Sequence, residues 1–218
     1  MTKEIQQETI REIALRAKAL GGRAMLVGGC VRDALTGRES ADIDCEVYGL
    51  APQALRSLAA EFGEVDESGA RYGIFSLKGA GIDLAVPRLE RRTGPKHGDF
   101  DVRLDPALPF ARAAARRDFT VNAMALCVNS GDFGTLIDPF GGLDDMKRRR
   151  LRTPLNPDET FSDDPLRMMR AIRFATQLDF AIEYYTFEAI KRNAERMEII
   201  TRERINDELS KIMLSPRP

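Results

Sequence analysis

Histidine occurs once in this chain of 218 residues, at His97, and cysteine only three times, at Cys30, Cys45 and Cys127. A single imidazole excludes zinc centres that need several. It leaves Ser-His or Cys-His catalysis only if His97, in its Gly-Pro-Lys-His-Gly loop, is the base. The cysteines stand apart among apolar neighbours without metal-ligand spacing, so they are expected as reduced core residues. No apolar run approaches the roughly 20 residues of a membrane span. The opening Met1-Thr-Lys-Glu-Ile-Gln-Gln lacks the apolar centre of a signal peptide, so a cytoplasmic location is expected. Net charge is nearly absent too: it is -1, with 43% hydrophobic and 31% charged residues, the balance of a soluble globular chain rather than a disordered one. Repeats, heptads and low-complexity tracts are also missing. By elimination, chemistry has to rest on carboxylates, arginines and backbone amides.

What is present is patterned. Basic clusters fall at Arg88 to Arg92, Arg116-Arg117 and Lys147 to Arg152, and Arg167, Arg170 and Arg173 recur every three residues. Any one such cluster can be solvated surface, but several in a small protein point to a polyanionic partner. The most informative stretch is Leu26-Val-Gly-Gly-Cys-Val-Arg-Asp-Ala-Leu-Thr-Gly, followed by Ala41-Asp42-Ile43-Asp44-Cys45. In an extended strand residues i and i+2 share a face, which sets Asp42 beside Asp44 and turns Ile43 and Cys45 to the core. Two adjacent carboxylates make a site for a hard cation such as magnesium, which completes its shell with water and substrate phosphates. Next to a glycine-rich turn the pair reads as a place for a nucleoside triphosphate; each half alone also fits an ordinary turn.

Periodicity predicts a mixed fold. Residues 3 to 20 pattern as an amphipathic helix, with Ile5, Ile10, Ile13, Ala14 and Leu20 at near-helical spacing and Gly21-Gly22 as the stop. Ala24 to Val27 reads as a short buried strand, Gly28-Gly29 as a turn into a helix around Val31 to Leu35, and Asp42 to Val47 as the acidic strand. A helix over Ala51 to Phe62 and strands over Gly73 to Lys78 and Ile82 to Val86 give a small mixed sheet flanked by helices. Pro87 to Ala107, charged and rich in Gly, Pro and Asp, is expected as a mobile loop. Ala111 to Val128 is expected to be helical, with a break near Arg117-Asp118. After Thr153-Pro154 the pattern is helical throughout, over Asp164 to Gln177, Tyr184 to Ala194 and Arg202 to Leu214. The expected class is therefore α+β, with one domain over 1–153 and an all-helical one over 154–218.

Five ordered motifs carry a resemblance to the class II tRNA nucleotidyltransferases and bacterial poly(A) polymerases. Leu26-Val-Gly-Gly-Cys-Val-Arg-Asp with Asp42-Ile43-Asp44 is similar to their first motif, and Arg116-Arg-Asp-Phe-Thr-Val-Asn-Ala-Met-Ala125 to their second. Asp138-Pro-Phe-Gly-Gly-Leu-Asp-Asp145 looks like the third. Asp163-Asp-Pro-Leu-Arg-Met-Met-Arg-Ala-Ile-Arg-Phe174 resembles the fourth, usually written Glu-Asp-x-x-Arg, with Asp163 in place of the glutamate. Glu203-Arg-Ile-Asn-Asp-Glu-Leu-Ser-Lys-Ile212 resembles the fifth. The resemblance implies a polymerase-beta-like nucleotidyltransferase head over 1–153 and a helical neck over 154–218. Since such proteins usually continue into further helical domains, it also implies a head-and-neck fragment or a shortened member.

The same resemblance implies a chemistry: addition of C and/or A, from CTP or ATP, to the 3′ end of tRNA. Two magnesium ions about 4 Å apart would sit on Asp42 and Asp44, one lowering the pKa of the attacking hydroxyl and the other steadying the triphosphate. Ile82 and Leu84 alternate around Asp83, making it the candidate third catalytic carboxylate; an edge-strand carboxylate is the other reading. Gly28 and Gly29 would let backbone amides approach the phosphates, with Arg32 and Asp33 bracing the loop. Asp118 and Asn122 lie four apart, where the family uses the aspartate to sense the ribose, and Arg117 would add charge; an aspartate capping its own helix fits the same residue. Asp164 and Arg167, adjacent at i and i+3, are where the family addresses the base edge without a template, and Arg170 and Arg173 continue along that side. A surface ion pair is the alternative there. Glu203 and Arg204 would open a helix whose Ile205, Leu209 and Ile212 face the neck core. Other readings stay open. One is a poly(A) polymerase, although Gly69-Ala-Arg-Tyr-Gly-Ile-Phe lacks the basic Arg-Phe-Arg-Leu-Ala-His stretch associated with those enzymes. The others are a catalytically silent RNA-binding module and a nucleotidyltransferase of small molecules.

Overall fold

The computed structural model describes residues 3–40, 42–92 and 100–216, and the chain packs as two compact units, each assembled from separate stretches. The first takes the chain up to Glu90, Val102–Ala114 and Met124–Pro139; the second takes Arg91–Asp101, Ala115–Ala123 and the chain from Phe140.

The first unit opens with α1 (Lys3–Ala19), whose Ile10, Ile13, Ala14 and Ala17 recur at helical spacing and are buried. Ile5 and Leu20, expected on the same stripe, are exposed at its two ends. β1 (Arg23–Val27) leads through α2 (Gly29–Leu35) to β2 (Ile43–Tyr48), which pairs antiparallel with β1. After α3 (Pro52–Ala60) come β3 (Val65–Asp66), β4 (Ile74–Leu77) and β5 (Ile82–Ala85), and β5 pairs parallel with β2. β6 (Arg88–Arg92) and β7 (Phe100–Leu104) make a two-stranded ribbon. Following α4 (Phe110–Ala114), β8 (Ala125–Cys127) and β9 (Leu136–Ile137) complete a seven-stranded sheet in the order β3-β4-β5-β2-β1-β8-β9. Alternation decides its faces. Cys45, Val47, Ile82 and Leu84 pack with Ile10, Ile13, Leu55 and Leu58 into one apolar core, so the residues between them face the other way.

Two expectations are corrected here. Pro87 to Ala107 is not a loop over its described part, which β6 and β7 largely occupy. Pairing satisfies the backbone of a charged ribbon whatever its side chains, and Leu104 reaches the core beside Gly73. Residues 93–99, with His97, lie outside the described residues. Ala111 to Val128 is helical over α4 and in a single 3-10 turn at Thr120–Asn122, while Ala125–Cys127 is a strand. Pairing with β1 overrides the helical propensity of that segment.

The second unit contains α5 (Gly142–Lys147), β10 (Arg150–Leu151), α6 (Pro157–Asp163), α7 (Leu166–Leu178), β11 (Ala181–Ile182), α8 (Tyr184–Asn193) and α9 (Arg202–Met213). β10 and β11 pair parallel. Phe161, Met168 and Ala189 form a buried centre against which Ile190 and Met197 pack. α7 begins at Leu166 rather than Asp164, because a proline disfavours helical backbone in the residue before it, and Asp164 is extended at φ -138°, ψ 100°. On α9 Ile212 is buried and Ile205 half-buried, but Leu209 is 46% exposed, so its expected place in the core is corrected. The residue turned inward is Glu208, 4% exposed. Among the described residues no helix is long and apolar enough to cross a membrane.

Asp145, wholly buried on α5, joins three stretches of this unit. Its carboxylate accepts from Thr120 Oγ1 at 2.6 Å, Arg150 Nε at 2.7 Å and Arg152 Nε at 3.1 Å. Truncating it leaves two arginines and a hydroxyl without their acceptor. Asp145→Ala is expected to lower the unfolding free energy by about 2 kcal/mol, less than for a fully buried pair because both arginines are partly exposed. Urea denaturation reads this directly; a change under about 0.5 kcal/mol, typical of a surface substitution, would remove Asp145 from the framework.

Candidate active site

β2 and β5 run parallel in a register that sets Asp44 opposite Asp83 and Ile43 opposite Ile82. Partners in neighbouring strands stand on one face roughly 5 Å apart. Two carboxylates therefore point away from the apolar core side by side, Asp44 exposed and Asp83 half-buried. Asp42 precedes β2 at a bend and is exposed; Ser40 Oγ donates to its carbonyl oxygen at 2.7 Å, and the Ile43 amide donates to the Gly81 carbonyl at 2.8 Å. Asp42, Asp44 and Asp83 thus lie at the same end of two adjacent strands. Glu46 shares the face of Asp44 but is buried, accepting from the Tyr48 hydroxyl at 2.8 Å.

Among the described residues no three Asp, Glu, Cys or His side chains are gathered closely enough to hold a metal unaided. Magnesium does not require that, since one or two carboxylates, water and substrate phosphates complete its shell. Asp42 and Asp44, with Asp83 beside them, are hard oxygen donors of the kind that fits it. Cys45 is no nucleophile: burial, with smaller contributions from Cys30 and Glu46, pushes its thiol pKa far up.

The turn from β1 into α2 depends on Gly28, whose φ of 78° and ψ of -142° a residue with a Cβ adopts only under strain. Gly29 opens α2 without a side chain. Arg32, one turn on and buried, is held by Asp33, with Nε and Nη2 at 2.8 Å and 2.7 Å from Oδ1.

In the second unit the Arg116–Asn122 segment meets α7 through Asp118, 7% exposed. Oδ1 accepts from the Phe119 amide at 2.8 Å and Asn122 Nδ2 at 3.0 Å, and Oδ2 accepts from Arg170 Nε at 2.9 Å and Nη2 at 2.5 Å. Four donors fill the acceptor sites of a carboxylate. Phe119 and Phe174 meet edge to face with centroids 5.9 Å apart. Burial pushes the Asp118 carboxyl up in pKa, but the Arg170 charge, the Asn122 amide and Arg167 outweigh it, so the group is held below its ordinary value. The 3-10 turn starts from Phe119, so Asp118 is not its cap.

Asp164 accepts from the Leu166 amide at 3.2 Å and from Arg204 Nη2 at 3.3 Å. Arg167 donates to the carbonyls of Arg116 at 2.7 Å and Thr160 at 3.5 Å. These two are not neighbours along one helix, as their spacing predicts, because Asp164 precedes α7. Arg117 is half-buried, and Arg173 Nε stands 2.8 Å from Glu208 Oε2. The reading of the sequence singles out neither Glu208 nor Asp145. For Glu208 a signal existed: a carboxylate three residues after Ile205 and four before Ile212 sits inside an apolar stripe.

Residues 24–152 match the family profile described as Poly A polymerase head domain, and residues 179–218 that of the Probable RNA and SrmB-binding site of polymerase A. The chain is 37% identical over 218 residues to the CCA-adding enzyme of Limosilactobacillus reuteri, covering 97% of this chain and 50% of that protein. It is 40% identical over 170 residues to the A-adding tRNA nucleotidyltransferase of Aquifex aeolicus, covering 78% of this chain and 20% of that protein. The structure of the Thermotoga maritima CCA-adding enzyme complexed with tRNA matches with a TM-score of 0.81 at 33% identity, covering 100% of this chain and 49% of that one. The chain spans half or less of the length of these relatives.

The Asp118 clasp has a pH signature. A carboxyl held below its ordinary value of 3.8 contributes stability that is full above about pH 4 and lost as pH falls through the lowered folded-state value. Asp118→Asn is expected to lower the Tm by roughly 5 °C at pH 7. The gap to the unsubstituted protein should narrow steadily below about pH 4. An equal Tm difference at neutral and acid pH would show that the charge of Asp118 is not what stabilises this unit.

Proposed function

We infer the activity of this chain from its kinship: it belongs to the family of class II tRNA nucleotidyltransferases and bacterial poly(A) polymerases. We propose that it is a template-independent RNA nucleotidyltransferase that adds C and/or A, from CTP or ATP, to the 3′ end of tRNA. The observation supporting this most is the register of β2 against β5, with Asp44 beside Asp83 and Asp42 at the same strand ends. Relatives named for CCA addition and for A addition, and one solved with tRNA, favour tRNA over poly(A) tailing. We propose a head over 1–153 and a neck over 154–218 as the functional division, since the head-domain match ends at residue 152.

Asp42 and Asp44 would hold magnesium, with Asp83 as the third carboxylate. When bound, the metal lowers the pKa of the attacking hydroxyl and screens the triphosphate. The chain's own contribution is positional. Gly28 and Gly29 keep backbone amides open to phosphate oxygens, and Arg32, locked to Asp33, adds fixed positive charge. In the helical unit Asp164 as acceptor and Arg167 as donor address a base edge. Arg170, clasped by Asp118, sets charge around the nucleoside together with Arg117 and Arg173, and Asn122 orients Asp118.

The deciding assay incubates the protein and magnesium with each NTP singly, on tRNAs ending before CCA or after CC and on generic RNA. Incorporation of C and/or A into tRNA alone is expected. A-tailing of every RNA would favour the poly(A) polymerase reading, and RNA binding without incorporation would leave a binding module. Asp44→Ala is expected to cut transfer by roughly a thousandfold. Its stability should stay within about 0.5 kcal/mol, because the side chain is exposed; near-normal transfer would sink the metal assignment. Arg167→Ala should reduce the kcat/KM preference among nucleotides by about tenfold, the penalty for a wrong base vanishing with the donor. Uniform loss with preserved ratios would make Arg167 a structural arginine.

A further inference from the structure

α9 carries a carboxylate where its apolar stripe would continue. Glu208 lies between half-buried Ile205 and buried Ile212 and is itself buried. Its Oε2 stands 2.8 Å from Arg173 Nε, and its Oε1 3.9 Å from Arg170 Nη1 and 3.7 Å from Lys211 Nζ. Arg170 is at the same time the two-pronged donor to Asp118. One guanidinium is therefore shared between a carboxylate of the Arg116–Asn122 segment and one of α9. The ring of Phe174 bounds it on a further side: Arg170 lies 5.3 Å from the ring centroid and Arg173 4.3 Å, and the ring's edge-to-face partner is Phe119.

A leucine at this place would fill the stripe without burying a carboxylate, but it would take the counter-charge from beside Arg173, only 13% exposed. What a glutamate supplies instead is a second counter-charge for Arg170 and a close one for Arg173. Asp118 uses its whole acceptor capacity on protein donors and grips Arg170 by two hydrogen bonds, while Glu208, 3.9 Å from Nη1, adds a longer-range attraction at the other end of the guanidinium. We propose that Glu208 is a positioning residue for nucleotide selection, holding Arg173 and one end of Arg170 so that Arg170 keeps its setting against Asp118. This rests on the nucleotidyltransferase function proposed above, and it assigns to α9 a part in selection rather than in support alone. Removing the charge withdraws a close carboxylate from Arg173 and the second counter-charge from Arg170, which Asp118 still holds, while the carboxylates of the first unit stay as they are. Selection then suffers and turnover does not.

The test compares Glu208→Gln, Glu208→Leu and Glu208→Asp with the unsubstituted chain. Steady-state kcat and KM for ATP, CTP, GTP and UTP on a tRNA end are measured with magnesium, alongside calorimetric Kd values and Tm. Glu208→Gln and Glu208→Leu are each expected to lower the preference for the favoured nucleotide about tenfold, chiefly through KM and Kd, with kcat within about twofold. Glu208→Leu is expected to lower Tm by several degrees, because it takes the carboxylate from beside Arg173, itself only 13% exposed, whereas Glu208→Gln keeps an acceptor of the same shape there. Glu208→Gln therefore carries the test if Glu208→Leu fails to fold. Glu208→Asp, which keeps the charge, should restore part of the preference. Unchanged ratios in a folded Glu208→Gln or Glu208→Leu, or an equal fall in kcat for all four nucleotides, would overturn the inference and leave Glu208 as packing. An unsubstituted chain that binds and uses all four nucleotides alike would overturn the proposed function, and this inference with it.

Discussion

Burying a carboxylate costs several kcal/mol unless donors replace the lost water, and in the second unit Asp118, Asp145 and Glu208 are all buried. Each is answered by arginine: Arg170 for Asp118, Arg150 and Arg152 for Asp145, Arg173 and Arg170 for Glu208. The Asp118 and Glu208 pairs link stretches far apart in sequence, while the Asp145 pairs join neighbouring ones. Asp145 joins α5 to the Thr120 turn and to the strand beginning at Arg150, Asp118 joins that same turn region to α7, and Glu208 joins α7 to α9. The helical unit also buries apolar side chains, among them Phe119, Leu151, Phe161, Met168 and Ala189. Charge pairing adds to it a directional requirement that apolar packing lacks, because a guanidinium satisfies a carboxylate only in a few orientations.

The first unit handles its acids in the opposite way. Its core takes one face of the sheet, and β-alternation leaves Asp44 and Asp83 on the other, level with each other, the first exposed and the second half-buried. Carboxylates side by side in water repel modestly, and that repulsion falls when a cation comes between them. The net charge of -1 over the whole chain conceals this contrast. Acids are exposed where a polyphosphate and its metal would need ligands, and neutralised where the fold needs fixed arginines.

Much of the first unit was readable because strand alternation is local. The stretch from Leu26 to Cys45 carries its own turn glycines, its own period of two and its own pair of acids, and the observed β1, α2 and β2 follow it closely. The β6–β7 ribbon and the strand Ala125–Cys127 were not readable. Charged residues and prolines imitate a loop, and a short run beside helix formers imitates a helix, until a partner strand offers its hydrogen bonds. On α9 the stripe was read as Ile205, Leu209 and Ile212, whereas the buried side chain is Glu208. Spacing says which residues share a face, but only an arginine waiting opposite lets a glutamate occupy it.

The sequence by itself determined the identity and order of the five motifs, the glycine turn before α2, and the spacing of Asp42 and Asp44, all set by neighbours within a few residues. Tertiary structure alone decided that Asp83 stands level with Asp44, because a register between two parallel strands is a relation between segments about forty residues apart. It alone decided that Asp118 spends its acceptors on Arg170 and Asn122, and that Arg170 is divided between Asp118 and Glu208. The physical reason is the same throughout. Local preference and periodicity act over one or two turns of chain, while the pairing of buried charges depends on which distant side chain the fold brings within about 3 Å.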